Sequence, residues 1–176
     1  MPEFAVTAIG QDRPGIVAGV SGALLELGGN VEDSQMSILR GHFAVMLLVN
    51  VPEGTEQADL ADRLGDVRDE LELEAVTVAP VGAGAETVRP THVVSVYGAD
   101  SKGIVHSISA ALAGLGVDIT DLETKLAGGR GAPVYVMVLE IALGGAEVAD
   151  VEAALQGVAG TIGVEVSLRE LNAEAL

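Results

Sequence analysis

Apolar positions along the chain switch between two periods. Phe4–Ile9 is a short apolar run containing Val and Ile, which predicts a strand. Asp12-Arg13-Pro14-Gly15 breaks that run, with Pro14 suited to the first position of a helix. Ile16, Val17, Val20, Leu24 and Leu27 then recur at helical spacing on one face, until Gly28-Gly29 stops them. Val31–Leu39 alternates loosely, Phe43–Val51 is a stronger β run, and Arg40-Gly41-His42 predicts a hairpin between them. Leu60, Leu64, Val67 and Leu71 mark a second helix, and Leu73–Val81 a closing strand.

The pattern occurs twice. Laying Val6–Ile38 on Val94–Leu126, a shift of 88 residues, makes 12 of 33 positions identical, among them Gly10, Asp12, Gly15, Ile16, Leu24 and Gly28. Three extra residues in the second copy raise the shift to 91, which pairs Val45-Met46 with Val136-Met137 and Leu60, Leu64, Val67, Leu71 with Val151, Leu155, Val158, Ile162. The extra residues fall in a longer, Gly-rich hairpin at Ala127–Ala132. The expected organisation is a first domain over residues 1–81, a linker over 82–90 where Gly82, Gly84 and Pro90 interrupt regular structure, and a second domain over 91–176. Each copy reads β-α-β-β-α-β, so the fold class is α+β with two ferredoxin-like units. Both helices of a unit are expected on one face of a four-stranded antiparallel sheet, leaving the other face or an edge free. Packing of the two units on each other is expected to cover those surfaces.

Composition narrows the function. The 176 residues carry 26 acidic and 9 basic side chains, a formal net charge of -17, which argues against a nucleic-acid partner needing a basic face. With no Cys there is no disulfide, thiol nucleophile or Cys-ligated metal. Glu3 sits where a secretory leader would be basic, and the charge-free stretches Pro14–Leu25 and Gly103–Val117 are too short to span a bilayer, so a cytoplasmic location is expected.

Catalytic constellations are poor. His42, His92 and His106 are not equivalent across the copies, and a Ser101–His106 dyad would exist in one copy alone. No metal-ligand spacing and no phosphate-binding Gly motif appears, so neither a metal nor a cofactor is expected. The stronger signal is a pair of equivalent turns, Gly10–Ile16 and Gly98–Ile104, each linking a first strand to a first helix. Helix-start N–H groups there can hold an anion, and Gly15 or Gly103 lets a ligand approach the backbone. Two of the scarce cations, Arg13 and Lys102, also lie in these turns, where a helix dipole disfavours them and a bound carboxylate would favour them. The plainer reading has Asp12 and Asp100 capping the helices and both cations solvated. A second equivalent pair, Asn30-Val31 and Asp118-Ile119, begins the second strand of each copy and could accept hydrogen bonds from an ammonium group, or serve only as turn residues.

Asp12-Arg13-Pro14-Gly15-Ile16-Val17 followed by Gly29-Asn30-Val31-Glu32-Asp33-Ser34 resembles the ACT domain, an amino-acid-sensing module, here in tandem over nearly the whole chain. The combination is similar to tandem ACT proteins of the glycine cleavage system transcriptional repressor type, and to the ACT segment that leads formyltetrahydrofolate deformylases. The resemblance implies units paired side by side into a continuous sheet, with amino acids bound at the interface. The site residues it implies are Asp12, Arg13, Pro14, Gly15, Ile16, Asn30 and Val31, and in the second copy Asp100, Gly103, Ile104, Asp118 and Ile119. Ser101-Lys102 in place of Arg-Pro, and Asp118 in place of Asn, alter the second pocket. The function so implied is a non-enzymatic, homo-oligomeric regulator that binds a small amino acid, glycine or serine suiting a pocket narrowed by Ile16 and Val31. It would act through a protein partner, a transcriptional activator among the candidates, without touching nucleic acid or membrane. The alternatives are a small acylphosphatase-like hydrolase using Arg13, and an ACT scaffold kept for dimerisation alone.

Overall fold

The first alternating run becomes β1 (Glu3–Gln11), in which Phe4, Val6 and Ala8 are buried while the intervening Ala5, Thr7 and Ile9 lie on the opposite face. In the computed structural model, which describes residues 1–82, 88–127 and 133–171, this strand belongs to the first of two compact units, Met1–Ala85 and Glu86–Leu176. Unit 1 continues with α1 (Ile16–Glu26), β2 (Asn30–Leu39), β3 (His42–Asn50), α2 (Gln57–Glu70) and β4 (Ala75–Pro80). Its sheet has the order β2-β3-β1-β4 with every neighbour antiparallel, which is the ferredoxin-like arrangement.

One face of that sheet meets both helices. Ile16, Val20, Ala23 and Leu24 of α1 and Leu60, Leu64 and Val67 of α2 join the inward side chains of β1 and β3 in one core. Each large aliphatic buried there contributes roughly 1.5–3 kcal/mol of transfer free energy. Across the helices, Arg63 donates through Nε to Oε2 of Glu26 at 2.8 Å. The hydrogen bond from Arg63, reinforced by its charge, holds the Glu26 carboxyl below the usual carboxylate range. The outward face of β1, β3 and β4 carries no charged side chain between Ala5 and Ile9, Ala44 and Leu48, or Ala75 and Ala79.

Unit 2 repeats the plan with β5 (His92–Ala99), α3 (Ile104–Gly114), β6 (Asp118–Ala127), β7 (Val134–Ala142), α4 (Val148–Ile162) and β8 (Val164–Glu170), in the sheet order β6-β7-β5-β8. It has a core of its own built on Val94, Val96, Ile108, Met137, Leu139 and Leu155. The edge strands β2 and β6 carry the same irregularity, between Val31 and Asp33 and between Ile119 and Asp121. Such bulges twist an edge and discourage open-ended strand pairing.

Four local expectations change. Pro14 is not helical: the helix starts at Ile16, with Gly15 as its N-cap at φ 100. The first hairpin is tighter than expected, because Leu39 pairs with His42 and only Arg40 (φ 51) and Gly41 (φ 84) form the turn. Two central residues with positive φ are what a hairpin turn matched to strand twist requires. Leu73 precedes β4 rather than starting it, and is buried behind the turn at Glu72, whose φ is 49.

The alignment of β3 with β7 also slips by one. Ala8 faces Val45 and its counterpart Val96 faces Met137, so the shift there is 92 and Val45 corresponds to Met137, not Val136. With period-two side chains, a slip of one would have turned the buried set outward. The hairpin expected at Ala127–Ala132 lies from residue 128 onward outside the described residues, as do linker residues 83–87. Among the described residues no helix is long and apolar enough to cross a membrane.

Candidate functional site

The loop after β1 is tied down by backbone. Asp12 donates its N–H to the carbonyl of Gly41 at 2.8 Å, which anchors the loop to the β2–β3 turn. Gly15 then takes a left-handed conformation that a side chain rarely adopts, and its carbonyl accepts the N–H of Gly19 at 2.8 Å. No side chain caps α1, so Asp12 does not act as its cap and the first-turn N–H groups keep no side-chain acceptor. Unit 2 is built alike: Gly103 is the N-cap of α3 at φ 92, again without a side-chain cap, and Asp100 is exposed beside it. A left-handed glycine fits both turns because a Cβ there would strain the backbone, although neither position is crowded.

Arg13 is not solvated alone. Its Nη1 lies 3.0 Å from Oε2 of Glu72, in the turn between α2 and β4. A carboxylate of the same unit therefore already meets this cation, and the conflict with the helix dipole is relieved without a ligand. Lys102 is exposed and makes no ion pair among the described residues.

An open groove of about 530 Å³ lies against the loop. Ile16 and Phe43, both buried, form its floor, and Val17, Met36 and Ile38 its walls; Asp12, Arg13, Pro14 and Gly15 stand at its rim. A second groove of about 240 Å³ shares Val17 and continues along α1 past Val20, Ser21, Val31 and Ser34. Ile16 and Val31, expected to narrow one pocket, thus line two neighbouring grooves. The lining residues Val17, Met36, Ile38 and Phe43, and the Arg13 partner Glu72, are absent from the sequence-derived site. Their one available signal was register, since Met36 and Ile38 sit opposite the inward-facing Val45 and Phe43.

Asn30 lies elsewhere. It opens β2 after the end of α1, is exposed, and donates from Nδ2 to Oε1 of Glu32 at 3.2 Å. Gly15 is at the other end of that helix, and the 11 residues of α1 rise roughly 16 Å. A free amino acid carries its carboxylate and ammonium on one carbon, so a single unit does not bring the 12–16 loop and Asn30-Val31 to the same ligand. Asp118 occupies the corresponding exposed place at the start of β6, with Ile119 half-buried against its core, while Ile104 is buried at the start of α3. Ser101 and His106, the conceivable dyad, are both exposed and share no hydrogen bond.

A UPF0237 protein of Methanopyrus kandleri is 44% identical over 72 residues, which is 41% of this chain and 73% of that protein. Phosphoserine phosphatase of Streptomyces coelicolor is 26% identical over 170 residues, 96% of this chain, yet the match spans only 40% of the enzyme. Among solved structures, an unknown protein from Galdieria sulphuraria superposes with a TM-score of 0.77 at 28% identity, covering 97% of this chain and 99% of that one. A protein provisionally assigned as a glycine cleavage system transcriptional repressor superposes at 0.75, with 97% and 98% coverage; at 16% identity this likeness is one of fold. The family profile described as ACT domain matches residues 3–78 and again residues 91–169. With both units so matched, and each built as βαββαβ, the chain belongs to the ACT domain family and carries that domain in tandem.

Proposed function

We propose that the chain is a non-enzymatic regulator that binds a small amino acid at the loop after β1 and transmits occupancy to a protein partner. The observation that carries this reading is the twinned helix start. Gly15 and Gly103 both cap a helix with left-handed backbone and no side chain, which leaves N–H groups disposed toward a carboxylate. Asp12, Arg13, Pro14, Gly15 and Ile16 supply the carboxylate end in unit 1, and Asp100, Gly103 and Ile104 the weaker counterpart in unit 2. Asn30-Val31 and Asp118-Ile119 meet the ammonium end. Because Asn30 lies at the far end of α1, the loop takes its complement in this reading from a second copy of the chain, which makes homo-oligomerisation part of it. Binding then changes how units associate, and so the surface offered to the partner.

The net charge of -17 supports a protein partner over nucleic acid; control of transcription through a partner regulator, in a cytoplasmic setting, is the corresponding role. Isothermal titration of the full chain against the twenty amino acids tests the proposal. Glycine and serine, the ligands expected from the sequence, belong in that panel. Binding tighter than about millimolar by any member supports sensing, and weaker binding by all of them ends it.

A further inference from the structure

The wall of the unit 1 groove is apolar where a glycine sensor has no use for apolar surface. β2 is an edge strand, and its side chains alternate between the open face and the helix side. Met36 pairs with Val45 and Ile38 with Phe43, both inward-facing partners, so Met36 and Ile38 lie on the helix side. Across from them stands Val17 of α1. All three reach solvent: Val17 is 52% exposed, Met36 50% and Ile38 47%. Apolar side chains converging on one concave place, with charge confined to the rim, are the ordinary composition of a small-molecule pocket.

We infer that this groove selects its amino acid by an extended apolar side chain, of the leucine, methionine or phenylalanine class, in preference to glycine or serine. The inference rests on the amino-acid-binding reading above and names the ligand class of that same site. Glycine, with no side chain, would leave Val17, Met36 and Ile38 exposed to water. Serine would turn a hydroxyl toward a wall of hydrocarbon and thioether side chains, where it loses water and gains no partner. A leucine-sized side chain removes apolar area from water on both surfaces, and burying on the order of 60 Å² corresponds to about a tenfold gain in affinity. Unit 2 keeps exposed Val105 and Leu126 where unit 1 has Val17 and Ile38, but Thr124 replaces Met36, Tyr135 replaces Phe43 and Ser101 replaces Arg13, which makes the corresponding surface more polar. The apolar preference therefore belongs to unit 1.

The test is calorimetric titration of the full chain with leucine, methionine, phenylalanine, glycine and serine, repeated on Met36→Thr, which installs the unit 2 residue at an exposed strand position. The Met36 methyl resonance is followed during the leucine titration. The expected result is at least one apolar amino acid binding about tenfold or more tighter than glycine, a shift of the Met36 methyl, and a narrowing of that gap in Met36→Thr. Equal or tighter binding of glycine or serine, or a gap that Met36→Thr leaves intact, overturns the inference while amino-acid sensing stands. Binding of no amino acid to the unsubstituted chain removes the sensing reading itself, and this inference with it.

Discussion

The two ACT units share a backbone and differ in what they hang around one loop. In unit 1 the loop after β1 carries Arg13, paired with Glu72 at 3.0 Å, and overlooks a groove walled by Val17, Met36 and Ile38. In unit 2 the corresponding loop carries Ser101 and an exposed Lys102, with Thr124 and Tyr135 where unit 1 has Met36 and Phe43. Yet the glycine hinge is the same, at φ 100 and φ 92. Duplication has thus preserved what the backbone requires and let several side chains around the loop diverge. The lesson is that the turn geometry belongs to the fold, whereas the lining of the groove depends on which residues β2 and β3 set beside it.

That contrast can be broken most forcefully in the cores. Leu64→Ala and Leu155→Ala each remove a fully buried leucine and should cost about 2–5 kcal/mol. Hydrogen exchange should show protection lost mainly in the unit carrying the substitution; uniform loss across both sheets would mean that the cores are not separate.

Next in size is the hinge. Gly15→Ala and Gly103→Ala should each destabilise by roughly 1–2 kcal/mol through the left-handed backbone alone, because no atom lies within 4 Å of the added Cβ. Equal losses by chemical denaturation would place the two turns on the same footing, and a clearly larger loss in one would expose a contact that the geometry does not contain.

Smaller still is the Arg13–Glu72 pair. Arg13→Ala should change stability by less than about 1 kcal/mol, as a surface ion pair does. In the same variant amino-acid binding should weaken, whereas Lys102→Ala should leave it unaltered. A binding isotherm indifferent to both would remove Arg13 from the site.

The least effect is electrostatic and confined to unit 1. Arg63 lowers the Glu26 pKa, so the stabilisation it brings is present above the unfolded carboxyl pKa and is lost as pH falls through the lower folded value. NMR titration should find the Glu26 midpoint below the ordinary carboxylate range and moved up toward it in Arg63→Ala. An unmoved midpoint would show that the 2.8 Å contact does not persist in solution.

Much of the fold was legible along the chain because its two periods differ: Leu60, Leu64 and Val67 could only face one side of a helix, and Phe4, Val6 and Ala8 only one side of a strand. The internal repeat was legible for the same reason, through Gly10, Gly15 and Gly28 and their counterparts 88 residues on. The slip at β7 was not, since identity between Val45 and Val136 mimics equivalence, and only cross-strand pairing with Ala8 and Val96 shows that Met137 takes the place. The site was half legible. Asp12–Ile16 could be located by a turn motif, but Glu72 stands far along the chain from Arg13, and Met36 and Ile38 look like ordinary strand residues until the strand is set beside α1.

By itself, then, the sequence determined a tandem of βαββαβ units, their helix-facing residues, and a glycine-containing turn between the first strand and first helix of each unit, though not that Gly15 and Gly103 would cap α1 and α3. These follow from local rules, in which side-chain periodicity and backbone conformation are decided within a few residues. Tertiary structure alone decided that Arg13 is met by Glu72 and that the groove is walled by Val17, Met36 and Ile38. Those relations join residues distant in the chain, and which of them meet depends on strand order and register, quantities that no local pattern carries.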